Sequence, residues 1–586
     1  MASLLHPDMN TLSATLLTTL ITSSMLSSLP AHATENPATA PWVADLGNGE
    51  YQNPILHADY SDPDVVRVGE DYYMTASSFT NTPGLPILHS YDLVNWELIG
   101  HALPRQVPDA HHATPRRGGG VWAPSIRHHD GKFMIYYPDP DFGVYLVTAT
   151  DPAGPWSAPV LVDNTPGVID PAPFWDDDGQ AYLVMAFAKS RAGFANVLRI
   201  KPLNAEGTHT QGEGKIVVNG EALPPAETST GPRPWVTIEG PKLYKRNGYY
   251  YIFAPAGSVK PGWQGVFRSR NIWGPYEGRN VMDQGQSATN GPHQGAWVDT
   301  VTGEDWFIHF QDKDSYGRIV HLQPMHWQDD WPVIGADPKH TGRGEPVAHY
   351  RKPDVSADYP IRVPQMNDEF EGSLSLAWQW HANPQDDWAS LSATPGKLRL
   401  KAASAPANLY EAGNLLTQKL PAPAFTATTL LTFNPKAEGE QAGLVMFGYD
   451  YAWIGLVKTA KGIRLVQRTR INAIGNQPER EVAGQALETS TVYLRLQAEP
   501  TKVTVTPPAS STKPWASESQ ATHAKLSFAY SLDGEHFTSF GESFISKPGR
   551  WVGTQFGLFC SAPSGTPAYV ATSVGYADFD WFHVTR

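Results

Sequence analysis

Cysteine is almost absent: Cys560 is the only one in 586 residues. No intrachain disulfide can form, and no cysteine-based zinc site can be assembled. Charge is sparse at 17% of residues, and positive charge is the scarcer kind. Lys and Arg number 44 against 58 Asp and Glu, a net charge of −14. A nucleic-acid partner needs clustered cations to neutralise phosphates, so that class is disfavoured. Beyond the N-terminus no stretch approaches the roughly 18 apolar residues of a membrane-spanning helix. Amphipathic helical stretches between the strand-like runs are also missing, which disfavours a parallel α/β sheet. No Gly-rich phosphate loop occurs in a strand-to-helix setting, so no nucleotide or redox cofactor is implied.

The N-terminus itself differs. Residues 12–29 are uncharged and rich in Leu, Ile, Ser and Thr, and Ala31-His32-Ala33 follows with the small-x-small form of a signal-peptidase site. His6 is the only basic residue before the run, so the positive n-region of a standard leader is missing. The expectation is a leader over 1–33 and export to the periplasm or the medium, without a membrane anchor.

What is abundant is turn-forming and aromatic: 51 Gly, 51 Pro, 19 Trp, 24 Tyr and 22 Phe. Tryptophan lines many sugar-binding surfaces, because its flat face stacks on C–H groups, and it also fills β cores. Five units share one internal order: a small or polar residue beside Pro, a short β run, a Gly turn and a second aromatic-rich β run. They begin at Asp62-Pro63, Ala123-Pro124, Asp170-Pro171, Glu239-Gly240-Pro241 and Gly291-Pro292-His293. Asp130-Gly131 and Asn247-Gly248 are strong hairpin signals, because type I′ turns need positive φ at both central residues. A further strand-like run follows each hairpin. Repeated antiparallel units of uneven length predict propeller blades with variable loops.

The repeat has a chemical consequence. Inner strands of a propeller start near its axis, so Asp62, Asp170 and Glu239 are expected to converge at one end of it. Like charges brought together shift one another's pKa values and separate acid from base. Asp64 is a second acid beside Asp62, but two residues on, past a fixed Pro, it is expected further down the strand and away from the entrance.

These residues carry a resemblance. NPILHADYSDPDVVRVGEDYYMTASS (53–78), GGGVWAPSIRHHDGKFMIYY (118–137), IDPAPFWDDDGQAYLV (169–184), IEGPKLYKRNGYYYIFAP (238–255) and GPHQGAWVDTVTGEDWFIHFQD (291–312) together resemble glycoside hydrolase family 43. That family consists of five-bladed propellers that are inverting, mostly exo-acting pentosidases. The resemblance makes Asp62 the general base, Glu239 the general acid, and Asp170 the third acid that orients Glu239 and raises its pKa. It makes Arg318 an arginine reaching the sugar subsite, and Trp122 and Phe79 aromatic subsite walls. His293 matches an axial histidine beside calcium or water in many members, so the axis has room for Ca2+ although no cofactor is required. The chain departs from the family at Ser61, where many members have Pro. Gly118-Gly119-Gly120 is expected to be a flexible loop leading to Trp122 at the pocket rim.

The predicted fold is all-β: a propeller over 34–340, a Pro- and charge-rich linker over 341–365, and a β-sandwich (jelly-roll or concanavalin-like) over 366–586. Alternating runs such as KLRLKA (397–402), AGLVMFGYD (442–450) and TVYLRLQAE (491–499) support the sandwich. Trp378, Trp380 and Trp388 are read as core or interdomain packing rather than sugar ligands. Asp368 and Asp580 are read as solvated surface acids, with a bridging cation as the alternative. The low-complexity stretch 506–524 is read as a mobile loop.

The leading functional expectation is an exo-acting, inverting hydrolase. It would release β-D-xylose or α-L-arabinofuranose from plant cell-wall oligosaccharides or polysaccharide side chains. The alternatives are a non-catalytic carbohydrate-binding propeller, disfavoured by the complete acid set, and an endo-arabinanase. The insertions 101–121 and 204–238, with the sandwich, are expected to close one end of a pocket rather than leave a groove.

Overall fold

The computed structural model describes residues 36–506, 519–564 and 574–586. The leader expected over 1–33, and the heart of the low-complexity stretch, lie outside the described residues. Among the described residues no helix is long and apolar enough to cross a membrane.

Five antiparallel four-stranded sheets follow in chain order. Their inner strands are Asp64–Val68, Ser125–His129, Val168–Trp175, Lys242–Arg246 and His293–Asp299. The hairpin signals act as expected. Asp130 and Gly131 take φ of 48° and 71°, and Asn247 and Gly248 take 50° and 72°, the left-handed pairs a type I′ turn requires. The inner strand of blade 1 touches those of blades 2 and 5, closing the ring. Among the described residues no strand is exchanged between blades. Instead the segment before blade 1 laces onto blade 5: Leu56 bridges Val320, and the Asn53 side chain donates to the Leu322 and Val347 carbonyls.

The residues expected to form a linker are packed in place. His349–Arg351 pairs antiparallel with Glu50–Gln52, and Lys352 bridges Asp45 and Asp92 at 2.6 and 2.8 Å. A strand partner and a shared cation turn a Pro-rich connector into a strap.

The second module is a sandwich of two sheets. One contains Leu415–Lys419, Gln441–Phe447, Tyr451–Thr459 and Gln555–Pro563. The other contains Phe425–Asn434, Thr491–Val505, Ser519–Ser531 and Tyr576–Thr585. Leu431, Leu444, Ile454, Leu494, Phe528 and Phe582 fill the space between them. The loop expected over 506–524 is thus shorter at its C-terminal side, because Ser519 to Ala524 pair with Val505 back to Pro500.

Asp368 is buried rather than solvated, and its partners differ from those of Asp580. Its carboxylate accepts from the backbone of Phe370 and Ser375 and from Trp378 Nε1, while Asp580 pairs with Lys397 at 2.8 Å. Trp378, Trp380 and Trp388 are buried, as expected. Trp380 also pairs through its backbone with Thr82 of blade 1. The same seam holds Gln106 against Asn383 and Arg117 against His381. Tyr316 and Ile319 of blade 5 belong to the sandwich core cluster.

Candidate active site

The acids are aimed at the axis by distortions of the inner strands. Asp62 and Asp170 both have φ of 55°, a left-handed conformation that Asp tolerates better than most residues. Blade 3 shifts register between Ile169 and Ala172, so Asp170 lies in a bulge. Blade 5 shifts between His293 and Gly295, placing its bulge at Gln294, two residues beyond the Pro292 that marked the unit in sequence. Gly240, after Glu239, has φ of 60°. A bulge re-aims a side chain that regular pleating would turn elsewhere.

Asp62 is 4% exposed. Ser61 Oγ donates to it at 2.8 Å, Ser77 Oγ at 2.6 Å, and Arg318 Nη1 lies 3.2 Å from Oδ1. Burial works against the charge on Arg318, but Asp62, Asp312, Asp59 and Glu239 outweigh it and keep the guanidinium charged. Asp170 is 2% exposed and accepts from the Gly240 N–H at 2.7 Å and, more weakly, from Gln294 Nε2 at 3.4 Å. Burial, then the charges of Glu239 and Asp62, hold its carboxyl well above the usual carboxylate range. The hydrogen bond to Gly240 pins the peptide that follows Glu239. Glu239 keeps a side chain 21% exposed, with Oε1 2.8 Å from His293 Nε2.

His293 is fully buried, and its Nδ1 has no hydrogen-bond partner. Calcium takes six to eight oxygen ligands. Among the described residues no group of three or more His, Cys, Asp or Glu is set to hold a metal ion. These side chains do not by themselves make a calcium cage, and the geometry gives His293 a hydrogen-bonding role toward Glu239.

Asp64 lies, as expected, down the strand. It is fully buried and accepts from Arg127 Nη1 at 2.6 Å and from Ile126 N at 2.8 Å. Lys242 is buried in the same stretch of axis, its ammonium under the influence of Asp64, Arg127, Asp170 and Asp62.

Trp122 is half-buried, donates from Nε1 to the Gly118 carbonyl at 3.1 Å, and lies under Arg191. Phe79 is buried, with φ of 50°, and its backbone pairs with Val121. The three glycines before Trp122 are wedged rather than loose. A Cβ on Gly118 would meet Arg550 Cδ at 2.7 Å, and one on Gly120 would meet the Phe79 carbonyl at 2.3 Å.

Sequence reasoning missed the sandwich's own contribution. The loop 549–553 presents Trp551, 44% exposed and with φ of 67°, edge-on to Trp122 at 6.3 Å. The Arg318 guanidinium sits 5.8 Å from the same ring. Arg191, Trp122, Trp551 and Arg318 form one arch of rings and cations contributed by three blades and the sandwich. No local pattern marks Trp551; only the flanking Gly549 and Gly553 hint at a turn.

A five-bladed propeller with three acids clustered at its axis, one sandwich loop reaching Trp122 and Arg318, is the frame of a glycosidase. The model for glycosyl hydrolases family 43 matches residues 51–332, and that for the beta xylosidase C-terminal concanavalin A-like domain matches 367–585. A putative beta-xylosidase of Xylanibacter ruminicola is 38% identical over 513 residues, 88% of this chain and 86% of the relative. The non-reducing end alpha-L-arabinofuranosidase BoGH43B of Bacteroides ovatus is 31% identical over 449 residues, 73% and 80% of the two chains. Among solved structures, xylan beta-1,4-xylosidase from Bacillus halodurans C-125 superposes with a TM-score of 0.76 at 25% identity, covering 91% of this chain and all of that one. The chain belongs to glycoside hydrolase family 43 and is a glycosidase acting on O-glycosyl bonds.

Proposed function

We propose that this protein is an exo-acting, inverting pentosidase that removes terminal β-D-xylose or α-L-arabinofuranose from plant cell-wall glycans. The observation that carries the reading is the clustering of Asp62, Asp170 and Glu239 from blades 1, 3 and 4, close enough for the first and last to act on the charge of Asp170. The names of the relatives supply the two sugars. The Trp551 side chain, brought by the sandwich against Trp122 and Arg318, supports a site for a chain end over one for the middle of a polymer, and so disfavours the endo-arabinanase alternative.

In this reading Asp62, oriented by Ser61, Ser77 and Arg318, takes a proton from the water that attacks the anomeric carbon. With the His293 ring donating to Oε1, the proton of Glu239 sits on Oε2 and passes to the leaving oxygen. Inversion needs the two carboxyls about 6.5–9.5 Å apart, so that a water fits beneath the sugar. Asp170 holds the Gly240 peptide, and through it the carboxyl of Glu239. A carboxyl pair performs this chemistry without a redox group or nucleotide.

Purified protein assayed side by side on 4-nitrophenyl β-D-xyloside and 4-nitrophenyl α-L-arabinofuranoside should release nitrophenol from at least one. Release from neither sinks the pentosidase reading and favours the carbohydrate-binding alternative. The first sugar product, followed by NMR, should carry the inverted anomeric configuration. We also infer export, on the apolar run 12–29 and Ala31-His32-Ala33; N-terminal sequencing of protein recovered from the periplasm or medium should begin near Thr34.

A further inference from the structure

Between catalytic propeller and sandwich lies a buried carboxylate that the reaction itself does not use. Asp59 stands three residues before Asp62 and is 6% exposed. Its two oxygens serve two parts of the molecule. Oδ1 accepts from the backbone N–H of Arg318 at 2.8 Å. Oδ2 accepts from the backbone N–H of Gly553 at 2.8 Å, across 494 residues of sequence. Arg318 is the residue whose guanidinium binds Ser61 and Asp62, and Gly553 closes the loop that carries Trp551. The surroundings are built for this contact. Gly317 has φ of 75°, and a Cβ there would lie 2.4 Å from Asp59 Cγ. A Cβ on Gly553 would lie 2.6 Å from Gly317 N. The next residue, Thr554, donates its N–H to the Ser315 carbonyl at 2.7 Å.

We propose that Asp59 is a positioning residue for glycoside hydrolysis: one carboxylate fixes Arg318 against the catalytic base and, at the same time, the foot of the Trp551 loop over the pocket. The chemistry of the group is specific. Two N–H donors converge on it, and only a side chain with two acceptor oxygens satisfies both. An amide offers one acceptor and turns an N–H against the other donor. Burial pushes the Asp59 carboxyl up, and the half-buried Lys419 of the sandwich opposes this as a counter-charge. The sandwich therefore shapes the sugar subsite by way of the propeller's own arginine as well as through Trp551.

This inference rests on reading Arg318 as a subsite residue, and the experiment separates the two. Asp59→Asn, Arg318→Lys and the double variant are assayed for kcat and KM on the better nitrophenyl glycoside. D59N is expected to lose about 10- to 100-fold in kcat/KM, carried mainly by KM. The double variant is expected to be hardly worse than R318K, because both changes act on one unit; losses that multiply would indicate separate, merely structural damage. If R318K has wild-type constants, the subsite reading falls and takes this proposal with it. If R318K is impaired and D59N is not, only the proposal for Asp59 fails. Should D59N not fold, Gly553→Ala tests the sandwich side alone. Its Cβ displaces the loop from Gly317 and should raise KM several-fold with kcat nearly unchanged. A wild-type KM in folded G553A overturns the proposal.

Discussion

Two neighbouring levels of the propeller axis hold similar residues under opposite arrangements. At the lower position Asp64 is fully buried and matched: Arg127 donates to it at 2.6 Å and a backbone N–H at 2.8 Å. At the upper position Asp170 is equally buried but has no cation in hydrogen-bond contact. It takes one backbone N–H and one weak amide, and faces Glu239 and Asp62. A buried acid with a partner serves the fold. A buried acid held among other acids is kept in a costly state, and such groups concentrate where chemistry is done. Asp62, two residues from Asp64, is matched as well, by Arg318, Ser61 and Ser77, so it is Asp170 that stands on the other side of this divide.

The comparison can be broken experimentally. The largest effect is expected from Asp62→Asn or Glu239→Gln, each removing a proton-transfer group. Turnover should fall by about 10²- to 10⁴-fold while the thermal transition stays near wild type; activity within tenfold of wild type would falsify the role assigned. Asp64→Asn should do the reverse. Breaking one partner of a buried pair costs about 3–5 kcal/mol, seen as a lower denaturation midpoint, while folded enzyme at low temperature keeps its kcat. Asp170→Asn sharpens the contrast. Removing an acid whose folded pKa is raised takes away a destabilising charge at neutral pH, so the melting temperature should hold or rise although kcat drops about 100-fold. A large loss of stability in D170N together with none in D64N would invert the argument.

A fourth expectation concerns pH. Burial holds the rings of His57 and His101 neutral down to about pH 3, and that of His309 down to about pH 4. In the unfolded chain such rings protonate near pH 6.5. Between these limits the unfolded state binds more protons, so stability should fall as pH drops from about 6.5 toward 4. Denaturant melts at pH 7 and pH 5 measure this, and an unchanged midpoint would count against it. The smallest effect is expected from Trp551→Ala, a few-fold rise in KM with the fold intact, since half of its surface is already open to solvent.

Much of the fold was readable from the chain. Asp130-Gly131 and Asn247-Gly248 announced hairpins because two consecutive positive φ angles are a local demand met by few residue types. Asp62 and Asp170 could be read beside Pro because each sits at the same place in its blade. The fifth unit was harder: its bulge fell at Gln294, beyond Pro292, because the register shift depends on pairing with the next strand. The glycines before Trp122 read as flexible, since glycine permits motion; the neighbours that forbid it, Arg550 and Phe79, are remote in sequence.

The sequence by itself determined the five blades, the sandwich and the set of acids, because turns and strand alternation are enforced by residues close along the chain. Only the tertiary fold brings Trp551 against Trp122 and Arg318, His293 against Glu239, and Asp59 between Arg318 and Gly553. Those are contacts between segments brought together by packing, across a seam where neither side carries a periodic mark of the other.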